Sequence, residues 1–241
     1  MKAEKLDSKQ WAEHYNPAIL EGLVERVSRR EMSWQTQEMV KHTSPGQRVL
    51  EIGSGSGATS LHLARNGCLC TALDFAQPCL DLVVQASVRL GCNIETVFAD
   101  ATKNLPFEDN FFDVVFQAGL LEHFEKEERV ALLRKWGRVG NRMVSIIPNA
   151  ASLSYRIGKA LMERKGTWAY GLELPQYTLY GEFAEAGIRV TQEYTIGEKH
   201  ALRFLPLWHP IRVVLRLWLA SNPCSDNCGQ GYLLVTVGEK K

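Results

Sequence analysis

The chain has 241 residues, which is enough for one domain of catalytic size with insertions. Apolar residues make up 45% and charged residues 23%, values that are typical of soluble globular domains and that exclude disordered, collagen-like and coiled-coil classes. Lysine and arginine total 28 against 27 acidic residues, so the formal charge of +1 gives no reason to expect a nucleic-acid partner.

Residues 1–44 are predicted to form a helical lead-in, because apolar positions within 10–42 recur at helical spacing. From there strands alternate with helices. The predicted strands are 48–52, 69–73, 94–99, 112–116, 143–147, 188–195 and 231–237, and the predicted helices are 58–65, 79–90, 126–136 and 178–186. This alternation predicts an α/β, doubly wound, Rossmann-like domain over 45–241, with a seven-stranded, mostly parallel sheet.

Two insertions interrupt the alternation, at 149–176 and at 197–230. The first is too long for an ordinary connection and is predicted to form a cap over the site. Aromatic side chains could line an acceptor pocket or belong to the core, and both interpretations stay open. These residues are Tyr15, Trp34, Tyr155, Trp168, Tyr170 and Tyr177.

The second insertion has no acidic residue from 199 to 225, and Pro210 is suited to start a helix in it. Arg212 and Arg216 lie four residues apart among apolar positions, which predicts a basic amphipathic helix. Burial statistics favour a helix packed on the sheet edge. The alternative is that 199–221 contacts anionic lipid or admits a lipophilic acceptor.

No secretory signal is predicted, since the first residues are charged, and the expected location is the cytoplasm. Arg212 and Arg216 also interrupt the most apolar segment, so no membrane span is expected. The six cysteines are interpreted as free thiols. Cys224 and Cys228 lack a second half of a zinc pattern, so no metal is expected and their role stays open.

A glycine-rich turn follows the first strand and precedes a helix. Gly53, Gly55 and Gly57 allow positive φ and a close approach of the backbone to a ligand. Gly53, Gly55 and Ala58 also fit the dinucleotide pattern G-x-G-x-x-G/A, with Asp74 at a suitable distance for a ribose contact. A nicotinamide-dependent oxidoreductase is therefore an alternative, although no Tyr-x-x-x-Lys pair supports hydride transfer.

Four motifs, which follow one another along the chain, distinguish between a nicotinamide-dependent enzyme and other nucleotide-binding enzymes. They are Val-Leu-Glu-Ile-Gly-Ser-Gly-Ser-Gly at 49–57, Ala-Leu-Asp-Phe at 72–75, Phe-Ala-Asp-Ala at 98–101, and the stretch from Leu105 through Asp113 to Leu121-Glu122-His123. Together they resemble the class I S-adenosylmethionine-dependent methyltransferases, in particular the small-molecule (type 11/25-like) branch. The resemblance is strong over 45–147, moderate over 177–196 and weak elsewhere.

The resemblance implies methyl transfer to a small molecule, with S-adenosylmethionine as cofactor. It assigns the ribose diol to Asp74, adenine to Phe75, Asp100 and the amide of Ala101, and the methionine ammonium to the carbonyls of Gly53 and Gln117. Glu51 is placed behind the turn, holding its shape. The full set of implied binding residues is Glu51, Gly53, Ser54, Gly55, Gly57, Asp74, Phe75, Asp100, Ala101, Gln117 and Ala118.

His123 is the candidate general base, because its unperturbed pKa suits removal of a proton from an acceptor. The alternative is that His123 caps a helix or faces solvent. Glu122 is interpreted as a carboxylate in the first turn of the same helix. A third function, a protein that binds the cofactor without turnover, also stays open.

Overall fold

The computed structural model describes residues 7–15, 17–221 and 229–240. Cys224 and Cys228, whose role the sequence left open, lie outside the described residues. Seven strands form one sheet: β1 (Arg48–Ile52), β2 (Leu69–Asp74), β3 (Ile94–Phe98), β4 (Phe112–Ala118), β5 (Gly140–Pro148), β6 (Ile188–Ile196) and β7 (Leu233–Lys240).

The strand order is β3-β2-β1-β4-β5-β7-β6. The first five strands of this order pair in parallel, and β7 runs antiparallel to both β5 and β6. The predicted seven-stranded, mostly parallel α/β sheet is therefore confirmed. Because β1 continues to β2 on one side and β4 lies on the other, the topology reverses between β1 and β4, where sheets of this kind bind ligands.

Helices cover both faces of the sheet. They are α1 (Ser8–His14), α2 (Leu20–Ser28), α3 (Trp34–His42), α4 (Ala58–Arg65), α5 (Gln77–Leu90), α6 (Lys126–Val139), α7 (Leu153–Arg164), α8 (Tyr180–Glu185), α9 (Glu198–Ala201) and α10 (Pro210–Ser221). Short 3-10 turns span Pro17–Ile19, Leu121–His123 and Leu202–Phe204.

Alternate residues of the central strands pack into two cores. Val49 packs with α2, α3, α4 and α5 on one face, whereas its neighbour Leu50 packs with α6 and α8 on the other. Trp136 of α6 is fully buried in the second core, and its indole N–H donates to the carbonyl of Ala101. Burial on both faces explains why the strands read as continuous apolar runs.

The ends of the elements depart from the predicted bounds by a few residues. The strands β4 and β5 are longer than predicted, and β7 begins at Leu233 rather than at residue 231. Asp74 is the last residue of β2 rather than the residue after it. β3 ends at Phe98, so Asp100 follows the strand by two residues.

The second insertion forms the predicted helix, but α10 does not bury its apolar stripe. Val213, Val214 and Leu217 are exposed, Leu217 at 64%, as are Leu207 and Trp208 just before the helix. Arg212 donates a hydrogen bond to the carbonyl of Leu205 instead of extending into solvent. The interpretation of a fully packed helix is wrong for these exposed positions.

Within the described ranges, no helix has the length and apolar character to cross a membrane. The same part of the chain holds no group of three or more His, Cys, Asp or Glu side chains arranged around a metal ion. Four of the cysteines there, at 68, 70, 79 and 92, are free thiols.

Gly57 and Gly91 give a matched test of packing beside the glycine turn. Both have φ near +63°, but a Cβ on Gly57 would stand 2.4 Å from a methyl of Val83, whereas Gly91 has nothing within 4 Å. We expect Gly91→Ala to lower the free energy of unfolding by about 1 to 2 kcal/mol, and Gly57→Ala to cost a further ~1 to 3 kcal/mol through overpacking. Urea denaturation of both variants measures this; equal losses would contradict it.

Candidate cofactor and active site

The glycine turn joins β1 to α4 in an unusual backbone conformation. Gly53, Gly55 and Gly57 have φ values of +68°, +52° and +63°. Each is in the left-handed region that residues with a Cβ adopt only with strain. The amides of Gly53 and Ser54 both donate to the carbonyl of Leu73, which fixes the turn to the end of β2.

Asp74 links two loops at the edge of the sheet. Its Oδ2 accepts the N–H of Gly55 at 2.9 Å and its Oδ1 accepts the N–H of Ala76 at 2.9 Å. The side chain is buried, and burial raises the pKa of Asp74 despite the lowering effect of these N–H groups. Each oxygen keeps lone-pair capacity for a further donor, so Asp74 can hold the turn and accept from a ligand at once.

Glu51 points to the other side of the turn. Its Oε2 accepts from the Ser60 hydroxyl at 2.6 Å and from the Ser60 amide at 3.2 Å, which ties β1 to the first turn of α4. Burial raises the pKa of Glu51 to about 7, and the bonds from Ser60 only partly offset this rise. The carboxyl group therefore supports α4, in keeping with its predicted place behind the turn.

A small cavity opens over the turn. Its lining includes the predicted residues Gly53, Gly55, Asp74, Phe75 and Ala118, together with Trp11, Tyr15, Cys79, Gly119 and Leu120. The free space is about 60 Å³, whereas small-molecule sites have volumes of roughly 300 to 1,000 Å³. The space is small because rings from α1 and from the residue after it lie over the glycines.

Tyr15 makes the closest of these approaches. A Cβ on Gly55 would stand 2.9 Å from two ring carbons of Tyr15, and Trp11 stacks on Tyr15 with ring centroids 6.4 Å apart. Burial raises the pKa of the Tyr15 phenol to about 12, so the phenol stays protonated near neutral pH. The first helix is therefore a cover over the glycine turn.

Gln117 is fully buried and its side chain is used internally. The amide nitrogen donates to Ser145 on β5, and Oε1 accepts the amides of Leu120 and Leu121. The side chain thus shapes the bend after β4. Only the main chain of this residue is available for the predicted contact with the methionine ammonium.

Asp100 and Ala101 lie outside the lining of this cavity. Asp100 is exposed, and its Oδ1 accepts from both the amide and the hydroxyl of Thr102 at 2.8 and 2.7 Å. The carbonyl of Ala101 accepts from Trp136. In this structure Asp100 has the local hydrogen bonds of a turn carboxylate, and a ligand would have to reach it beyond Phe75.

Ser54 and Gly53 show that the turn fits a polar ligand held by the backbone. The Oγ of Ser54 is buried without a hydrogen-bond partner among the described residues. A Cβ on Gly53 would stand 3.0 Å from the Leu120 side chain, so there is little room for a side chain at this position and the backbone of the turn stays uncovered. An unsatisfied hydroxyl beside bare backbone is expected where a ligand supplies the missing bonds.

His123 lies at the end of the 3-10 turn after β4 and is buried, so the solvent-facing interpretation is wrong. Its Nδ1 pairs with the carbonyl of Leu172, which can only accept, so Nδ1 carries a proton and Nε2 has the lone pair in the neutral ring. The Trp11 ring contacts His123 edge-on at 5.5 Å. The imidazole is thus held next to the cover of the cavity.

Glu122, the residue before His123, has a buried carboxyl group. It is only 3% exposed, and its Oε2 has no hydrogen-bond partner within the described ranges. Burial, and then the charge of nearby Glu173, raises its pKa well above the usual range. Glu122 lies in the first turn of the 3-10 helix, as expected, and its burial there is what the sequence did not predict. The sequence offered no signal for this burial, because Glu173 is distant in the chain.

Comparisons with known proteins found similarity to methyltransferases over part of the chain. Residues 49–142 match the family described as a methyltransferase domain. The same region is 29% identical over 104 residues to phosphoethanolamine N-methyltransferase 3 of Arabidopsis thaliana, covering 42% of this chain and 21% of that protein. It is 36% identical over 90 residues to demethylmenaquinone methyltransferase of Corynebacterium urealyticum, covering 33% of this chain and 36% of that protein.

Among solved structures, magnesium protoporphyrin IX methyltransferase from Synechocystis PCC 6803, with bound SAH, superposes with a TM-score of 0.57 at 14% identity. The alignment covers 92% of this chain and 83% of that one. This likeness shows the fold alone, which the chain shares with that methyltransferase. The match over residues 49–142 agrees with the resemblance that the sequence motifs implied. The chain's match spans only about a fifth to a third of the curated relatives' length.

Glu51 gives a pH-dependent prediction. Its pKa is about 7 in the folded protein against the ordinary 4.5, so the carboxyl favours folding below pH 4.5 and this contribution is lost as pH rises through 7. A neutral glutamine cannot titrate. We therefore expect Glu51→Gln to gain stability relative to wild type between pH 5 and 8, by up to about 3 kcal/mol.

Urea denaturation at several pH values measures the difference between the two proteins. Glu108→Gln, at an exposed position, controls for the loss of one negative charge. A stability difference between Glu51→Gln and wild type that does not change with pH would contradict the assignment.

Proposed function

We propose that the protein is an S-adenosylmethionine-dependent methyltransferase that acts on a small molecule. The observation that carries this proposal is the buried Asp74 carboxylate beside a positive-φ glycine turn at the switch point of the sheet. The matching methyltransferase domain and its named relatives support the same activity. No comparison supports the nicotinamide alternative.

In this proposal, Asp74 accepts the ribose hydroxyls and Phe75 packs on the adenine. The carbonyls of Gly53 and Gln117 hold the methionine ammonium. When bound, S-adenosylmethionine supplies an electrophilic methyl group on a sulfonium. The protein then has to orient and desolvate an acceptor along the line of the breaking bond, which removes much of the barrier without a nucleophilic side chain.

Access to this position requires α1 to move, because Trp11 and Tyr15 occupy the space over Gly53 and Gly55. Once the cofactor is seated, the same rings can exclude water from it. His123, held by the Leu172 carbonyl, is the proposed proton acceptor for an acceptor hydroxyl or amine.

Asp74 tests cofactor binding. Its loss would remove two charge-assisted hydrogen bonds to ribose, each of about 1.5 to 3 kcal/mol. We therefore expect Asp74→Ala to weaken binding of S-adenosylmethionine and of its demethylated product at least tenfold by calorimetry, with circular dichroism confirming that the variant folds.

Asp81→Ala is the matched control, because Asp81 lies nearby on α5, faces solvent and bonds only to Gln77 among the contacts described. Unchanged affinity of a folded Asp74→Ala protein would reject Asp74 as the ribose ligand. Binding of NAD with no binding of S-adenosylmethionine would reject the proposed activity, and cofactor binding without transfer to any acceptor would favour a non-catalytic binding protein.

We also propose that the α10 surface contacts anionic membrane lipid. Val213, Val214 and Leu217 form an exposed apolar ridge next to exposed Leu207 and Trp208. Their basic neighbours are Lys199, Arg203, Arg212 and Arg216, and 199–221 has no acidic residue. An apolar ridge on a segment whose charged residues are all basic fits the boundary of an anionic bilayer, where both groups find a partner.

Vesicle co-sedimentation tests this surface. We expect the protein to bind vesicles that contain phosphatidylserine at low salt, to bind neutral vesicles weakly, and to lose at least tenfold affinity in the double variant Val213→Asp, Leu217→Asp. The control Val84→Asp, Val88→Asp has the same spacing on α5, where Val88 is 75% exposed. Equal binding by the two double variants, or no binding by wild type, would overturn the proposal.

A further inference from the structure

Two buried carboxyl groups lie together behind the 3-10 turn that carries His123. The carbonyl of Glu122 accepts the amide of Leu174 at 2.8 Å, and the carbonyl of Leu172 pairs with the His123 ring. These two contacts hold the segment 172–174 along the turn and bring Glu173 next to Glu122. Their exposed fractions are 3% for Glu122 and 8% for Glu173.

Each carboxyl group has one oxygen that the described part of the chain leaves without a hydrogen-bond partner. The Oε2 atoms of both residues are buried without a hydrogen-bond partner in the described ranges, and so is the indole nitrogen of Trp168. The Tyr155 phenol lies close enough to Glu173 to lower its pKa, but without the geometry of a full hydrogen bond. Burying an ionised carboxylate without a partner costs several kcal/mol, so such groups are retained where a ligand completes them.

Aromatic rings surround these carboxyl groups. The Tyr155 ring lies 5.2 Å from Tyr232 and 6.4 Å from Trp168, and Trp168 lies 5.3 Å from Tyr170. Burial and the charges of Glu173 and Glu122 raise the pKa of both Tyr155 and Tyr232, which places the two phenols in the field of both acids. We call this group the acidic-aromatic cluster: Glu122, Glu173, Tyr155, Trp168, Tyr170 and Tyr232.

The cations near the cluster do not neutralise it. Lys159 lies 5.1 Å over the Trp168 ring and lowers the pKa of Glu173, but it is already paired with Glu163. Burial raises the pKa of Glu173 to about 7, and the charge of Glu163 adds to this rise. Three carboxyl groups therefore face one ammonium group, and the cluster lacks positive charge.

The cluster adjoins the cavity over the glycine turn. Glu122 Oε1 lies 3.7 Å from the position that a Cβ on Gly119 would take, and Gly119 lines that cavity. On the cover side, the Tyr170 ring is 6.2 Å from His14 of α1. Tyr170 is exposed, so this edge of the cluster reaches solvent beside the first helix.

We propose that the acidic-aromatic cluster binds the ammonium group of the methyl acceptor, so that the substrate is a small organic amine with no anionic group near its nitrogen. Carboxylates and aromatic faces together bind organic cations through ion pairing and cation–π contacts. A phosphate beside the nitrogen would be repelled by Glu122 and Glu173, and a neutral quinol would leave both carboxyl groups unpartnered. The acceptor role rests on the proposed methyl transfer, whereas the cation site does not.

The group-transfer step balances with these residues. The ammonium held by the carboxyl pair gives one proton to His123, the proposed proton acceptor, and the freed nitrogen lone pair forms the new nitrogen–carbon bond. The carbon–sulfur bond breaks, its electron pair stays on sulfur as a neutral thioether, and the positive charge passes to the methylated nitrogen. The proton on His123 then leaves to solvent.

Binding of a cation that cannot be methylated tests the cation site separately from methyl transfer. The probe is phenyltrimethylammonium, titrated by calorimetry at pH 8 with and without S-adenosylhomocysteine. We expect binding that is at least tenfold tighter than that of neutral 2-phenylethanol, and at least tenfold weaker in Glu122→Gln and in Glu173→Gln. Titrations in two buffers of different ionisation enthalpy should show proton release at pH 6 to 7, since the cation favours both ionised carboxylates.

Glu163→Gln is the matched control, because this nearby acid already has a cation partner; we expect less than threefold change. A purely structural role for the pair would alter thermal stability but leave the preference for the cation over the neutral probe intact, and that result would overturn the proposal. So would equal affinity for phosphoethanolamine and phenethylamine. Cofactor binding without cation binding would reject the cation site alone, whereas cation binding without cofactor binding would reject the methyltransferase.

Discussion

The geometry of the site depends on the carboxylate of Asp74. It is buried at the end of β2 and accepts amides from two separate loops, the glycine turn through Gly55 and the start of α5 through Ala76. Burial of one charge would be unfavourable alone, and the two N–H groups offset part of this cost. The same bonds hold the glycine turn in its left-handed conformation, so a single side chain both shapes the turn and offers the site its negative charge.

The remaining walls come from segments that are distant in sequence. The first helix covers the turn with Trp11 and Tyr15, and the segment 172–174 is bound along the turn after β4. His123 lies between them, in contact with Trp11 and Leu172. The parallel core therefore supplies the edge of the sheet that carries the glycine turn. The lead-in and the first insertion supply the segments that lie over this edge.

How much of this the sequence predicts depends on the range of the interactions. Strand and helix positions follow from apolar periodicity and from glycine and proline, which act locally. Four residues that line the cavity belong to two short sequence motifs: Gly53, Gly55, Asp74 and Phe75. The burial of Glu122 could not be predicted from the sequence. Glu173 lies next to it only because the backbone of 172–174 is hydrogen-bonded to the turn in the folded chain. Trp11 was missed for the same reason, because the contact that brings it to the site is with His123, which follows β4 far along the chain.

The prediction was also weakest where residues follow a strand by one or two positions. Asp100 was expected at the end of the third strand, but β3 ends at Phe98, and the extra residue turns the carboxylate toward Thr102. Strand ends have no apolar periodicity to fix them, and a local hydrogen bond to a hydroxyl can redirect a side chain. Motif positions therefore fix the loop but not the direction of each side chain on it.

The two insertions pack against each other, which joins the acidic-aromatic cluster to the surface of α10. A Cβ on Gly158 of α7 would stand 2.4 Å from both the side chain and the carbonyl of Phe204, so the absence of a side chain at 158 lets the segments meet. Phe204 in turn contacts the Tyr155 ring at 5.3 Å, and its 3-10 turn contacts α10. Phe204 and its 3-10 turn therefore connect α10 to Tyr155 through direct contacts. The apolar exterior of the second insertion and the buried carboxyl groups of the proposed acceptor site are thus parts of one packed unit.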